Sequence, residues 1–233
     1  MNVPDPFAHY FELLDAIHRD LRPRLYVEIG VNQGDSLRLV GPGTRAIGVD
    51  PEPQVEDCPA GATIVAATSD EFFAAPTALD GERIDLGFAD GLHWWEQTLR
   101  DVAHLERHAD PDGVILIHDC NPRDEVTAAR ERTTVFWSGD VWKTVVALRR
   151  FRPDLTVHTV DVDPTGLAVV TGLDPANTVL FDRYDEIVAE IDELGWADME
   201  STDRVEFLGL VDDDWATVRP LLTRPADGRG VVV

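Results

Sequence analysis

The protein has 233 residues, of which 44 are acidic and 20 are lysine or arginine, so its formal net charge is -24 at pH 7. Such a charge argues against broad contact with nucleic acid or with an anionic membrane surface, because both require a cationic face. Two cysteines, Cys58 and Cys120, are too few for a disulfide framework or a thiolate zinc site.

The opening stretch repeats apolar residues at helical spacing and is followed by Pro23, which predicts a helix over residues 6–21. It lacks a signal-peptide pattern, and no apolar run in the chain reaches about 18 residues, so we expect a cytoplasmic protein without a membrane span. Five short apolar runs come next, separated by turns or helical pieces: 25–30, 46–50, 62–68, 84–90 and 113–119. Such an alternation is typical of a doubly wound α/β fold with a parallel sheet covered on both faces.

Two further helices are predicted between and after these runs. The segment 93–108 and the residue before it place apolar side chains on one face: Leu92, Trp95, Leu99, Val102 and Leu105. A second helix is predicted over 139–151, with Ser138 or Asp140 as its cap.

A hairpin is predicted near the end of the sheet. Two alternating runs within residues 155–172 are joined by Asp163-Pro164-Thr165-Gly166, whose residues suit a type I turn. The chain then continues into an acidic segment over 182–214, interpreted as a solvated face or as a substrate lid or oligomer arm. We therefore expect one domain, with an N-terminal helix within 1–22, a ligand-binding core over 23–172 and an acidic extension over 173–233.

The first predicted strand runs into a glycine-bearing loop that extends from Glu28 to Ser36 and then into a predicted helix. Gly30 and Gly34 allow the backbone to turn sharply beneath a ligand. The G-x-G-x-x-G dinucleotide fingerprint and the lysine of a phosphate-binding loop are both absent. The second strand ends in Asp50, where a nucleoside site has an acid that binds ribose hydroxyls. These features favour a cationic ligand with a ribose and without phosphates.

This Glu-x-Gly-x-x-x-Gly loop, together with Asp50, resembles the first two motifs of the class I S-adenosylmethionine-dependent methyltransferases. Members of that family end their sheet in a reversed hairpin, as expected here for 155–172. The resemblance covers roughly residues 20–172. It implies a Rossmann-like methyltransferase fold with a seven-stranded, mostly parallel sheet and a C-terminal antiparallel hairpin.

The same resemblance implies positions for the cofactor S-adenosylmethionine. Gly30 and Gly34 would pass beneath its methionine part, with Glu28 near the amino end, and Asp50 would hold the ribose. The cofactor residues implied after the third strand are Thr68 and Ser69, which match the adenine position. A Thr-Ser pair after a strand is equally typical of a helix N-cap.

The fourth and fifth predicted strands end in Asp90 and Asp119, and the carboxyl ends of parallel strands meet at one edge of a sheet. Two converging carboxylates require a cation or a raised pKa, and an oxygen-rich site suits Mg²⁺. Asp90 and Asp119 are therefore predicted metal ligands, and Asp90 also borders the predicted cofactor site. The third ligand stays open among Asn121, His118 and water.

The Asp-Gly-x-His element at residues 90–93 and the later His118-Asp119 pair resemble the metal-dependent small-molecule O-methyltransferases, in particular a bacterial group associated with sugar and natural-product modification. The resemblance implies that His93 is the general base and that Asp90 shares the catalytic site. The alternative for His93 is a hydrogen-bonded residue at a helix N-terminus. His118 is expected to point to the opposite face of the sheet, because it precedes Asp119 on a strand.

The sequence thus predicts a divalent-metal-assisted O-methyltransferase that acts on a small hydroxylated molecule such as a sugar or a glycosylated natural product. The alternatives are a noncatalytic cofactor-binding member and another enzyme on the same scaffold. A homodimer is expected only because symmetric dimers are the commonest assemblies. Residues 121–138 are predicted to form a lid, and five aromatic residues are candidates for the pocket or the core: Trp94, Trp95, Phe136, Trp137 and Trp142.

Overall fold

The computed structural model describes residues 3, 6–75 and 77–223. The strands are β1 Leu25–Ile29, β2 Arg45–Asp50, β3 Ala62–Ala66, β4 Ile84–Ala89, β5 Ala109–His118, β6 Thr156–Val160, β7 Leu167–Thr171 and β8 Leu210–Val211. The helices are α1 Tyr10–Leu21, α2 Ser69–Ala74, α3 Trp95–His108, α4 Trp142–Phe151, α5 Val179–Asp182, α6 Tyr184–Ile191, α7 Trp196–Ser201, α8 Arg204–Leu208 and α9 Trp215–Val218.

The strands form one sheet in the order β3-β2-β1-β4-β5-β7-β6-β8. β1 to β5 pair in parallel, whereas β7 runs antiparallel to both β5 and β6, as the predicted hairpin requires. The strand order reverses between β1 and β4, and ligands of open α/β sheets bind at such a switch point. The α/β fold is confirmed, but the expected number of seven strands is wrong for the described residues, because β8 of the acidic extension pairs with β6.

Buried apolar side chains cover both faces of the sheet, which gives the molecule three layers. One cluster packs α2 to α8 against one face, and the other packs α1 and α9 against the opposite face. The strands are buried on both sides, as a parallel sheet between helices requires. The acidic extension contributes to both clusters: α6 to α8 bury Ile187, Ile191, Met199 and Leu208 in the first, and α9 buries Val218 in the second.

Two of the predicted helices differ from the observed ones near the start of the chain. α1 begins at Tyr10 rather than residue 6, because the Nδ1 atom of His9 accepts the Phe11 N–H and caps the helix there. The helix expected after β1 is wrong: only a short 3-10 turn, Leu37–Leu39, forms. The Gly41-Pro42-Gly43 sequence that follows prevents a longer helix.

Two predicted boundaries shift because side chains make different contacts. α3 begins at Trp95, so Leu92 lies before it and is exposed rather than in the core. Asp140 does not cap α4; its Oδ1 accepts the Trp95 N–H at 3.0 Å and thereby caps α3.

The type I turn expected between β6 and β7 is wrong, because the Gly166 N–H donates to the Val162 carbonyl across a longer loop.

Within the described ranges, none of the helices combines the length and apolarity that a membrane crossing requires.

Candidate active site

A cavity of about 1120 Å³ lies at the carboxyl ends of the central strands. Seven of the predicted site residues line it: Gly30, Asp50, Thr68, Ser69, Asp90, His93 and Asp119. Three others, Glu28, Gly34 and Asn121, are not part of its wall. The structure therefore brings most of the predicted cofactor and metal residues around a single space.

The glycine loop at the end of β1 lies directly against the end of β4. Gly30 has a φ of +90°, and a Cβ at this position would lie 2.0 Å from the Asp90 carbonyl oxygen. Only glycine fits this contact, because it combines a left-handed conformation with a close backbone approach. Gly30 thus lets the predicted cofactor loop pack directly against the backbone of Asp90, a predicted metal ligand, and it also lines the cavity.

Asp50 is held in a fixed orientation at the end of β2. Its Oδ2 accepts the Asn32 N–H at 2.9 Å and its Oδ1 accepts the Glu52 N–H at 2.8 Å. These two backbone bonds leave further lone pairs of the carboxylate toward the cavity, since a carboxylate has about four acceptor sites.

Glu28 is fully buried behind the cavity wall. Ser36 donates a hydrogen bond to its Oε1, and the Tyr26 hydroxyl donates to its Oε2 at 2.9 Å. Burial raises the pKa of Glu28 to about 8. The side chain is therefore a neutral, internally hydrogen-bonded group at neutral pH, and its predicted contact with the cofactor stays a prediction.

We expect the Glu28→Gln variant to be less sensitive to alkaline pH than the parent protein. The folded-state pKa of about 8 lies above the ordinary 4.5, so the folded chain keeps a proton that the unfolded chain releases. Stability contributed by this proton is lost as the pH rises between these values, by about 3 kcal/mol from pH 5.5 to 8.5. Urea unfolding at both pH values measures the difference, with the exposed Glu52→Gln as the matched control. Equal losses in the parent and Glu28→Gln would contradict the expectation.

Thr68 and Ser69 both reach the cavity while they also stabilise the start of α2. Thr68 and Glu71 form a reciprocal capping box, and the Ser69 hydroxyl donates to Asp101. The N-cap interpretation is thus observed for Thr68, and the adenine contact of both residues stays a prediction.

Two carboxylates and two imidazoles form the polar end of the cavity. We call Asp90, His93, His118 and Asp119 the Asp–His cluster. His118 donates its Nδ1–H to Asp90 Oδ1 at 3.2 Å, and His93 Nδ1 lies 3.0 Å from Asp119 Oδ2. Burial favours the neutral imidazole, but the Asp119 and Asp90 carboxylates outweigh it and raise the pKa of His118 to about 10. His118 and His93 in turn hold the pKa of Asp90 well below its usual range, against the effect of burial.

The backbone at two members of the cluster is in the left-handed region, with a φ of +58° at His93 and +65° at Asp119. Non-glycine residues adopt this region rarely, and it costs on the order of 1–3 kcal/mol for each residue. At Asp119 the turn breaks the strand alternation, so His118 and Asp119 approach the same site. The expectation that His118 points to the opposite face is therefore wrong.

Sequence reasoning missed two residues that support the cluster. The Tyr10 ring stacks on His118 with ring centroids 3.9 Å apart, and Thr165 donates a hydrogen bond from its hydroxyl to Asp119 Oδ1. Tyr10 belongs to a predicted amphipathic helix and Thr165 to a predicted turn. Neither sequence pattern contains a signal for contact with the site.

Asn121 makes contacts that turn it away from the Asp–His cluster. Its Oδ1 accepts a hydrogen bond from Arg204 at 2.6 Å, and its Nδ2 donates to Asp161 at 2.8 Å. In the described part of the chain, the group that could hold a metal ion consists of Asp90, His93 and Asp119. One ligand atom from each of these residues lies within 4.8 Å of the others.

The outer mouth of the cavity is apolar and aromatic. It is formed by four exposed side chains, Leu92, Trp94, Val135 and Phe136. Such a concentration of exposed apolar surface at one cavity is typical of a binding site. Trp95 and Trp142, by contrast, are buried in the core.

The loop predicted as a lid reaches the Asp–His cluster at its C-terminal end. Trp137 stacks on His93 with ring centroids 4.8 Å apart. Arg130 forms ion pairs with Glu96 and Asp140 and lies over the Trp94 ring. These contacts anchor the loop beside the cavity, and its opening and closing as a lid stay a prediction.

Residues 27–120 match the family described as "Methyltransferase domain". This segment contains the glycine loop, Asp50, Asp90 and Asp119. No curated protein matches the chain.

Solved structures of similar fold include Rv0187 from MTB with a bound cofactor, with a TM-score of 0.55 and 18% identity over 72% of this chain and 80% of that one. The O-methyltransferase TomG from Streptomyces achromogenes, involved in tomaymycin synthesis and solved with SAM, has a TM-score of 0.52 and 16% identity, covering 70% of this chain and 78% of TomG. An O-methyltransferase from Bacillus cereus in complex with SAH has a TM-score of 0.55 and 12% identity, covering 72% of this chain and 84% of the Bacillus protein. At these identities the likeness establishes the fold.

Proposed function

We propose that this class I methyltransferase, whose family match spans residues 27–120, transfers the methyl group of S-adenosylmethionine to a hydroxyl group of a small molecule with the help of a divalent metal ion. The observation that carries the proposal is that one cavity is lined both by Asp50, an acid held by two backbone hydrogen bonds, and by the Asp–His cluster. The S-adenosylmethionine-bound and O-methylating proteins of similar fold support it.

The proposed cofactor residues are those that line the inner cavity. Asp50 would accept hydrogen bonds from the ribose, Gly30 would lie beneath the methionine part, and Thr68 and Ser69 would border the adenine. A sulfonium that reacts by in-line displacement needs mainly correct placement of the two reactants. The rigid hydrogen bonds of Asp50 and the close Gly30–Asp90 contact are suited to such placement.

The residues of the Asp–His cluster fit a divalent metal. Asp119 is buried, and its Oδ2 has no hydrogen-bond partner among the described residues, although leaving a buried carboxylate oxygen unpaired is costly. Asp90 and Asp119 would hold the ion, which when bound would orient the acceptor oxygen and lower the pKa of its hydroxyl. His118 orients Asp90 by donating a hydrogen bond to its Oδ1.

The apolar mouth supports an acceptor with an apolar or aromatic part. Leu92, Trp94, Val135 and Phe136 offer ring and aliphatic surface rather than the hydrogen-bonding groups that a free sugar requires. We therefore favour a glycosylated or polyketide-like natural product, with its apolar part against the mouth, over a free monosaccharide.

The experiment that tests the proposed function has two stages. Calorimetric titration of S-adenosylmethionine into the folded protein should show binding, and release of S-adenosylhomocysteine should then depend on an added hydroxylated acceptor. Binding without turnover across aryl glycosides, phenols and sugars would favour a noncatalytic cofactor-binding protein. Absence of binding to the folded protein would overturn the methyltransferase proposal.

Thr165 is expected to position Asp119 for metal binding, because its hydroxyl occupies Oδ1 and leaves Oδ2 directed toward the site. Replacing buried Thr165 by the isosteric valine should weaken Mn²⁺ binding by about 10-fold to 100-fold, as losses of hydrogen bonds to metal ligands do. Calorimetric titration of the metal-free protein measures the change. Thr165→Ser retains the hydroxyl and should restore the affinity, and equal affinities in all three proteins would refute a positioning role.

A further inference from the structure

We infer that His93 is a nitrogen ligand of the metal ion and that the site consequently selects a first-row transition-metal ion over Mg²⁺. The inference rests on the divalent metal of the proposed function. It adds His93 to the predicted ligands Asp90 and Asp119, whereas the sequence left the third ligand open among Asn121, His118 and water. It also replaces the general-base role implied for His93 by a ligand role.

The first step is the identity of the groups that converge. Asp90, His93 and Asp119 each present one ligand atom within 4.8 Å of the others. The amide of Asn121 is bound to Arg204 and Asp161 and does not complete the set. The available donors are therefore two carboxylates and one imidazole.

The second step is the orientation of the His93 ring. Its Nδ1 lies 3.1 Å from the Trp137 carbonyl oxygen, which can only accept a hydrogen bond, so Nδ1 carries the proton. In the neutral ring Nε2 then has the free lone pair, and it faces Asp90 Oδ1 at 3.6 Å, too far for a hydrogen bond. A histidine that donates one N–H to a backbone carbonyl and offers its other nitrogen is the usual arrangement in metal sites.

The third step is the state of Asp119. Its side chain is only 5% exposed, and Thr165 donates to Oδ1. Oδ2 lies 3.0 Å from His93 Nδ1 and 3.4 Å from His118 Nδ1, but neither contact has the geometry of a hydrogen bond, and no other described residue donates one to it. A buried carboxylate oxygen without a hydrogen bond, close to the His93 ring and to the Asp90 carboxylate, is a site for a cation.

The fourth step is the preference of these donors. Imidazole nitrogen suits Zn²⁺, Fe²⁺, Co²⁺ and Ni²⁺, whereas Mg²⁺ prefers carboxylates, carbonyls and retained water. Most protein ligand sets bind transition-metal ions more tightly than Mg²⁺, so a higher affinity for such an ion is not by itself evidence for a nitrogen ligand. The informative quantity is the decrease in the ratio of transition-metal affinity to Mg²⁺ affinity when His93 is replaced.

The test uses the full-length protein after removal of metal by a chelator. Titration with Co²⁺ is followed by its visible absorption, and titration with Mg²⁺ by calorimetry, in the parent protein and in His93→Asp. Aspartate adopts the left-handed backbone of position 93 more readily than most residues, so the variant should fold, which circular dichroism verifies. The ratio of Co²⁺ to Mg²⁺ affinity should fall by about 10-fold or more in His93→Asp, with a changed Co²⁺ spectrum, because an oxygen replaces the nitrogen donor. Asn121→Ala is the control and should change neither quantity.

An unchanged affinity ratio and Co²⁺ spectrum in folded His93→Asp would overturn the inference. A lowered turnover with unchanged metal binding would also overturn it and would restore His93 as a general base. S-adenosylmethionine binding, measured in parallel, separates this result from the proposed function. If the protein binds S-adenosylmethionine but neither ion, the metal inference is refuted and the methyltransferase proposal is not. If it does not bind S-adenosylmethionine, the methyltransferase proposal is refuted, and the Co²⁺ titration still decides whether His93 is a metal ligand.

Discussion

Replacing Asp90 by asparagine is expected to lower kcat/KM for methyl transfer by about 10³-fold, because a bound metal supplies several kcal/mol of stabilisation and each 1.36 kcal/mol is a factor of ten. Asp90 contributes one ligand atom of the candidate metal group and accepts the hydrogen bond of His118. The variant retains the volume of the side chain but removes the charge. Steady-state release of S-adenosylhomocysteine measures the effect.

The matched control for this prediction is Asp112→Asn, an exposed acid in β5. It should leave turnover unchanged. Calorimetry with S-adenosylmethionine shows whether Asp90→Asn still has an intact inner cavity. Turnover within a factor of about three of the parent protein would contradict the role given to Asp90, since such a ratio corresponds to less than 1 kcal/mol.

Replacing Asp50 by alanine is expected to weaken S-adenosylmethionine binding by about 10²-fold. Hydrogen bonds to a charged group contribute roughly 1.5–3 kcal/mol each, and the loss of one or two to the ribose accounts for this factor. Calorimetric titration measures the dissociation constant.

Asp50 also accepts the Asn32 and Glu52 N–H groups, so its removal could loosen the glycine loop. Asp50→Asn preserves one carbonyl acceptor and should bind the cofactor with an intermediate affinity. Asp57→Ala, an exposed acid of the following connection, should bind like the parent protein. If Asp50→Ala bound the cofactor as tightly as Asp57→Ala, the ribose assignment would fail.

The strands could be predicted because their signal is local and repeated. The run 84–90 is mainly apolar, as a strand buried on both faces must be, and the observed strand spans Ile84–Ala89. The run 113–119 likewise falls on β5, which begins four residues earlier than predicted. The hairpin was predictable for the same reason, from alternation on either side of a Pro-Gly turn. The two-residue β8 lacks such a repeat, because it pairs through backbone groups of only Leu210 and Val211.

The composition of the Asp–His cluster was only partly predictable. Asp90, His93 and Asp119 follow strands whose ends meet at one edge, and sequence order is sufficient to place them there. The position of His118 depends on the left-handed turn at Asp119, which strand alternation does not anticipate. The Asn121 side chain is bound by a hydrogen bond from Arg204 and therefore does not join the Asp–His cluster. Arg204 lies 83 positions later in the chain, so no local sequence pattern could reveal that contact.

The contact between Gly30 and the carbonyl of Asp90 joins the floor of the cofactor cavity to a candidate metal ligand through backbone atoms alone. No side chain lies between them that could absorb a movement of either partner. We therefore expect that an adjustment of the glycine loop to a bound cofactor would move Asp90, and that an adjustment of Asp90 to a cation would move the loop. Binding of the two proposed ligands would then be thermodynamically linked, and by the reciprocity of linkage each would change the affinity of the other by the same factor.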